Sequence, residues 1–246
     1  MKGRLAVVGL RPGALDQLTA AVATELAGAD LLVGYRSYLD QVPAELAPGR
    51  REPYELGEER RRARRAAEAA AEGQRVALLS SGDPGIYGMA ALAIEEAAGL
   101  GKHGPEVAVF PGVTAATAAA SLVGAPLAVD FACLSLSDLL VPWPELAARL
   151  EALCAADVAL VLYNPASCAR RRPWERAVAS LQRHRPPPTP VAAVRRAYRS
   201  GQSVRIADVG SMDELEVDME TVVIVGSSRT VRRGEWLVSL RDEAPP

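Results

Sequence analysis

Three apolar runs in this 246-residue chain end in short loops whose residue types suit ligand binding. Residues 76–79 open into SSGDPGIYG (80–88), residues 107–110 into PGVTA (111–115), and residues 158–163 into NPAS (164–167). In the first loop Asp83 occupies an N-cap position and Pro84 a first-turn position, which predicts a helix starting there and running through Met89-Ala90-Ala91-Leu92. Gly82 and Gly85 remove side chains beside that start, and α/β sheets bind ligands in loops at the carboxyl ends of parallel strands. On these grounds a capped turn and a ligand loop explain SSGDPGIYG equally well. In PGVTA, Thr114 is a candidate cap for a helix of small residues closed by Gly124. Those small side chains suit either tight helix-on-sheet packing or close approach of backbone to a cofactor. Asn164 stands before a proline at the third strand end, and three such ends suggest one shared cleft.

The loop after the first run, VVGLRPGALDQLT (7–19), lacks both G-x-G-x-x-G and G-K-[ST], so neither a nicotinamide nor a nucleoside triphosphate is supported. Gly9 and Gly13 permit close backbone approach, which a strand-to-helix turn needs with or without a ligand. Other reactive groups are sparse. The two histidines (His103, His184) and three cysteines (Cys133, Cys154, Cys168) show no metal-ligand spacing, no CxxC and no HExxH, which argues against a structural zinc or iron–sulfur site and more strongly against a disulfide framework. They also provide no Ser/His/Asp or Cys/His nucleophile set. A group transfer in which a cofactor supplies the electrophile and the protein supplies positioning needs none.

Charge narrows the partners further. With 28 basic and 30 acidic residues, net -2, the chain offers no field for bulk nucleic acid. Only Lys2 and Lys102 are lysines, so the basic residues are almost all arginine. That bias fits an acidic ligand read by forked guanidinium contacts, but a codon-biased genome rich in alanine and proline explains it more readily. No run approaches the ~20 apolar residues of a membrane span, and LAVVGL is interrupted too early for a signal peptide, so a soluble cytoplasmic protein is expected.

The elements that must position these loops are legible as nine short apolar runs, at 5–10, 31–35, 76–79, 107–110, 131–136, 158–163, 191–194, 204–209 and 221–225. Runs that are apolar on both faces and alternate with helical patterns predict an α/β fold with covered sheets. Leu18, Val22 and Leu26 mark a helix stopping at Gly28; Pro144 begins another that carries Leu146, Leu150 and Leu153. EERRRARRAAEAAAEG (58–73) reads as a helix with a solvated charged face and no chemistry. The Pro-Gly punctuation at 111–112 predicts two α/β domains, 1–111 and 112–246.

Taken together, the strand-one loop with Pro12-Gly13 and Leu18-Thr19, the loop GDPGIYG and PGVTA resemble the tetrapyrrole methylase family, the S-adenosylmethionine (SAM) enzymes of corrin and sirohaem synthesis. VGYRSYLD (33–40), SSGDPGIYGMA (80–90), DFACLSLSDLLVPW (130–143), LYNPAS (162–167) and VDMETVVIVGSS (217–228) are similar to its branch acting on precorrin-3B or cobalt-factor III. The resemblance implies a two-domain tetrapyrrole methylase fold, a homodimer, and SAM in the inter-domain cleft. Carried over by position, the SAM contacts are Pro12, Ser81, Gly82, Asp83, Ile86, Thr114, Ala115, Asn164 and Ala197. It implies methylation of a ring carbon, C17, coupled to ring contraction. Asp130, Ser135 and Asp138 are then the candidate acid/base and orienting groups, and Arg195 and Arg199 candidates for substrate carboxylates. Ser135 and Asp138 read equally as caps for the segment before Pro142. Three positions depart from the family pattern: Arg11 replaces a usual glycine, Val129 a frequent histidine, and Arg196 a common asparagine. Ribosomal RNA and diphthamide-pathway methylases resemble the same family, and a non-catalytic SAM-binding module is the reading from another class; the charge balance argues against the first and the DFACLSLSDLL segment against the second.

Overall fold

The computed structural model describes residues 3–10, 12, 14–138, 141–167 and 170–241; Arg11, Gly13 and Cys168 lie outside the described residues. The chain divides into two compact units, 1–114 and 115–246.

In unit 1 the order is β1 (Arg4–Gly9), α1 (Ala20–Ala27), β2 (Leu31–Tyr35), α2 (Arg36–Leu39), β3 (Arg50–Tyr54), α3 (Glu59–Ala71), β4 (Arg75–Ser80), α4 (Ala90–Gly99) and β5 (Glu106–Phe110). The sheet is parallel throughout, in the order β3-β2-β4-β1-β5. Alternate residues of the central strands face two separate cores. Leu5, Val7, Leu31, Val33 and Leu78 pack with the alanines of α3 and α4, while Val8, Leu32 and Leu79 pack with Val22, Leu26 and Leu39. Burial on both faces is what makes these strands continuous apolar runs.

α1 starts where Thr19 Oγ1 accepts from the Val22 N–H at 3.2 Å, an N-cap that leaves Leu18 just outside the helix. The predicted helix beginning at Asp83-Pro84 is corrected: α4 begins only at Ala90. The carboxylate of Asp83 accepts from Gly85 N at 2.8 Å, an Asx turn that bends the chain away from helix. Tyr87 then adopts a left-handed φ of 53°, which interrupts any helical run before Met89. The charged α3 also buries more than expected, because Ala63, Ala66, Ala67 and Ala70 face the core while Arg60 and Arg64 reach across to Glu96.

Unit 2 runs α5 (Ala115–Val123), β6 (Gly124–Ala125), β7 (Phe131–Ser135), α6 (Trp143–Ala155), β8 (Ala159–Tyr163), α7 (Arg172–His184), β9 (Pro190–Arg195), β10 (Ser203–Asp208), β11 (Thr221–Val225), β12 (Thr230–Arg233) and β13 (Trp236–Ser239). Its main sheet has the order β10-β9-β11-β8-β7 and is mixed: β7 and β8 are parallel, whereas β11 runs antiparallel to both β8 and β9. The carboxyl ends of β7, β8 and β9 therefore lie at one end of the sheet, together with the start of β11. α6 and α7 cover one face through Leu146, Leu150, Trp174 and Leu181; α5 covers the other through Ala116, Ala119 and Val123. A small sheet, β12-β13-β6, completes the unit.

Candidate functional site

In unit 1 the predicted loop is organised by backbone rather than by side chains. β4, β1 and β5 are neighbours, and their ends meet through glycines. A Cβ on Gly112 would stand 2.2 Å from Gly82 O and 2.7 Å from Gly9 O, and one on Gly9 would stand 2.5 Å from Gly82 O. Gly82 itself has a left-handed φ of 60°. The close approach that Gly9 permits is thus to its own sheet's loops. Asp83 ties them together: one carboxylate oxygen takes the Gly85 N–H and the other the Gly112 N–H at 3.2 Å. Ser80, buried at the strand end, accepts from Met89 N at 3.3 Å and closes the base of the loop. Ser81, Gly85, Ile86 and Tyr87 remain exposed at its rim, and Pro12 and Thr114 are half-buried. Exposed Ser81 and Gly85 together with the apolar faces of Ile86 and Tyr87 fit a cofactor with both polar and apolar parts, such as SAM.

In unit 2 a polar cluster forms where β7 and β8 end in register, Ser135 beside Tyr163. Leu136 N donates to Tyr163 O at 2.9 Å, and Asn164 Nδ2 donates to Ser135 Oγ at 3.0 Å. Ser137 N also donates to Ser135 Oγ, at 3.3 Å, so this oxygen accepts twice and its own hydrogen is left to point elsewhere. Asn164 holds a left-handed φ of 51°, a strained state for a residue with a side chain. Asp138 pairs with Arg170 at 3.3 Å. Neither Ser135 nor Asp138 caps α6, whose N-cap is Pro142 without a side-chain bond.

Asp130 is not brought to this cluster. It precedes β7 at the opposite end from Ser135, five residues and about 16 Å away at ~3.3 Å per residue. It is exposed there, and its carbonyl accepts from Ala159 N.

Sequence reasoning missed Tyr163, whose hydroxyl accepts from Ala116 N at 2.9 Å and so holds the start of α5 to the end of β8. Ala115 and Ala197 pack against the apolar cluster that contains Ala116. Beyond β9, Arg196 and Tyr198 both have left-handed φ, 50° and 58°. Here the expected substrate arginines are already partnered within the unit. Arg195 bonds Asp218 at 2.6 Å and Glu220 at 3.1 Å; Arg196 and Arg199 reach Glu220 at 2.6 and 3.4 Å. Three guanidiniums against two carboxylates leave one positive charge, on side chains about a third exposed. Burial alone would push the Asp218 carboxyl up, but bonds from Arg195, Thr221 and Glu220 N outweigh it and hold the carboxyl below its usual range. Val129 is half-buried ahead of β7. Among the described residues no three His, Cys, Asp or Glu side chains gather as metal ligands, and no helix is long and apolar enough to cross a membrane.

A model of the tetrapyrrole (corrin/porphyrin) methylases matches residues 4–213. The cobalamin biosynthesis protein CobIJ of Mycobacterium tuberculosis is 45% identical over 237 residues, 94% of this chain and 46% of that protein. The chain therefore spans about half the length of that relative. A probable cobalt-factor III C(17)-methyltransferase of Salmonella typhimurium is 41% identical over 96% of this chain and 98% of its own length. The precorrin-3B C(17)-methyltransferase of Sinorhizobium sp is 39% identical over 94% of this chain and 91% of its own. Of solved structures, the methyltransferase CobJ superposes with a TM-score of 0.89 at 35% identity, covering 97% of this chain and 100% of that one. Uroporphyrin-III C-methyl transferase from Thermus thermophilus, complexed with S-adenyl homocysteine, gives 0.68 at 27% identity, covering 91% and 92%.

Proposed function

The chain belongs to the tetrapyrrole methylase family, and from that premise we propose that it is a SAM-dependent methyltransferase acting at C17 of precorrin-3B or cobalt-factor III, with ring contraction toward precorrin-4, in cobalamin biosynthesis. The observation that carries the reading is the likeness to C(17)-methyltransferases over nearly the whole chain, including the segments that build the Ser135–Asn164 cluster. We read the protein as a cytoplasmic homodimer.

Bound SAM supplies an electrophilic methyl that an electron-rich ring carbon takes as the carbon–sulfur bond breaks. The chain's share is to hold, orient and handle protons. In unit 1, Pro12, Ser81, Gly82, Asp83, Ile86 and Thr114 would hold the cofactor, Asp83 chiefly by keeping the loop in shape, because both its oxygens are engaged by backbone. In unit 2, Ala115, Asn164 and Ala197 would do so. Ser135 is the proton-handling candidate, since its oxygen accepts two hydrogen bonds and its hydrogen is left for the acceptor ring. Asp138, held by Arg170, is the orienting carboxylate. Its position at the far end of β7 removes Asp130 from direct cooperation with Ser135. Arg195 and Arg199 would meet substrate carboxylates with the positive charge that Asp218 and Glu220 leave uncancelled.

Purified protein incubated with SAM and either precorrin-3B or cobalt-factor III should add one methyl by mass and change the pigment's absorbance. The productive substrate assigns the route. No methyl gain on either, with SAM binding intact, would overturn the assignment.

A further inference from the structure

We infer that Arg170 is a positioning residue for this reaction: its guanidinium locks the 135–138 segment to the Asn164 turn and so fixes where Ser135 and Asp138 present their oxygens. The inference rests on the methyl-transfer reading above. Nη1 of Arg170 donates to Leu136 O at 2.7 Å and to Asp138 Oδ1 at 3.3 Å, and Nη2 donates to Asn164 O at 3.4 Å. One planar group therefore holds the two backbone carbonyls that flank the Asn164–Ser135 bond, plus the neighbouring carboxylate. Its side chain is only 14% exposed.

The other end of the residue is fixed as well. Arg170 N donates to Ser167 O at 3.0 Å and Ser167 N to Arg170 O at 2.9 Å, a closed bridge that aims the side chain back across the strand ends. The contrast with Arg195, Arg196 and Arg199 is chemical. Those three bond only the carboxylates of Asp218 and Glu220 among the ion pairs described, whereas two of the three oxygens that Arg170 engages are main-chain carbonyls of the segments expected to meet cofactor and substrate. Carbonyls cannot change charge and give no steering; bonds to them fix geometry. A lysine keeps the charge but, as a compact ammonium, lacks the rigid fork needed to span acceptors on two segments.

The segments also touch without Arg170, through Leu136 N to Tyr163 O and Asn164 to Ser135, so its loss should loosen the cluster rather than unfold the unit.

The test compares wild type, Arg170→Lys and Arg170→Ala. We expect Arg170→Lys to melt within about 3 °C of wild type and bind SAM within about threefold, while kcat falls roughly ten- to a hundredfold at little change in KM. Guanidinium ion added to Arg170→Ala should restore part of kcat saturably, an effect that a purely structural role would not produce. Amide exchange over 135–138 and 163–167 should quicken in Arg170→Lys while β9 and β11 keep their protection. Wild-type kcat in the lysine variant, or exchange in these segments equal to wild type, would overturn the inference. If wild type itself methylates neither substrate, the functional reading fails, and the exchange measurement still decides whether Arg170 makes the lock.

Discussion

The two candidate ligand regions are made of different materials. At the end of β4, in unit 1, glycine backbones pressed against one another set the shape, tied by the side chains of Asp83 and Ser80 to backbone N–H groups. At the ends of β7 and β8, in unit 2, side chains set it: Ser135, Asn164, Asp138 and Arg170 bond one another and the intervening carbonyls. The difference follows from what lies beside each loop. Where β4, β1 and β5 end side by side there is no room for a Cβ at Gly9 or Gly112, whereas at the ends of the parallel pair β7–β8 side-chain hydrogen bonds join the two segments. The first region has no space for a methyl at Gly9 or Gly112, whereas the second can be reshaped, with each lost bond expected to lower turnover.

The sharpest way to break this contrast is Gly112→Ala. Its methyl would fall against the backbone oxygens of Gly82 and Gly9, which have no rotamer by which to yield. We expect a loss of about 3 kcal/mol in urea unfolding, with SAM or S-adenosylhomocysteine affinity in calorimetry falling by more than tenfold. Full stability would show that the glycine contacts are slack.

Asn164→Gly probes the other region. Glycine accepts the left-handed φ freely but removes the bond to Ser135. Stability should move by no more than about 1 kcal/mol, because strain relief offsets the lost hydrogen bond. Turnover should drop roughly tenfold if the Ser135–Asn164 geometry matters to the reaction. Unchanged turnover would place the cluster outside the chemistry.

The smallest effect expected is at the other end of the same strand. Asp157, just before β8, has nearly the same backbone state as Asn164, φ 50°, but serves as a latch to Ser228 and Arg185. Burial pushes its carboxyl up, yet the two Ser228 bonds and Arg185 outweigh it and hold the carboxyl below its usual range. Its ionised form is thus favoured by folding, and that stability is present above the unfolded value of about 3.9 and lost as pH falls through the lower folded value. Asp157→Asn should therefore be less stable than wild type at pH 7, by under about 1 kcal/mol because the side chain is half exposed and screened, and equal to it in strong acid. Activity at pH 7 should not change; a fall in turnover would mean that both ends of β8 feed the site.

How far the sequence revealed this depends on where apolar residues run together. β2 and β11 were legible at their observed bounds, and β1, β4, β5, β7, β8, β9 and β10 within a residue, although β5, β7 and β10 are for the most part not buried. RREPY, which is β3, carries no such signal: it is an edge strand with only Tyr54 buried, and Pro53 is acceptable there because an edge need not donate on both sides. The hairpin β12–β13 is similarly mixed in exposure. The loop at 80–88 was legible as a loop, but the Asp-Pro signal for a helix start was overridden by the Asx turn to Gly85. In the site, Asn164 announced itself through its position before proline, while Arg170 stood unmarked at the head of an arginine run whose purpose only the three-dimensional neighbours reveal.

The strand orders also set when each sheet can close during synthesis. In unit 1 the central strand is β4, which emerges after β1, β2 and β3 and must enter between β2 and β1. In unit 2 the central strand is β11, which emerges after β7, β8, β9 and β10 and must enter between β9 and β8. Until residue 225 has left the ribosome, β8 and β9 have no shared partner, and the backbone edges they will offer it are open to any other strand that comes within reach. Both sheets thus wait for a late central strand, and the one in unit 2 waits with four strands already made, against three in unit 1.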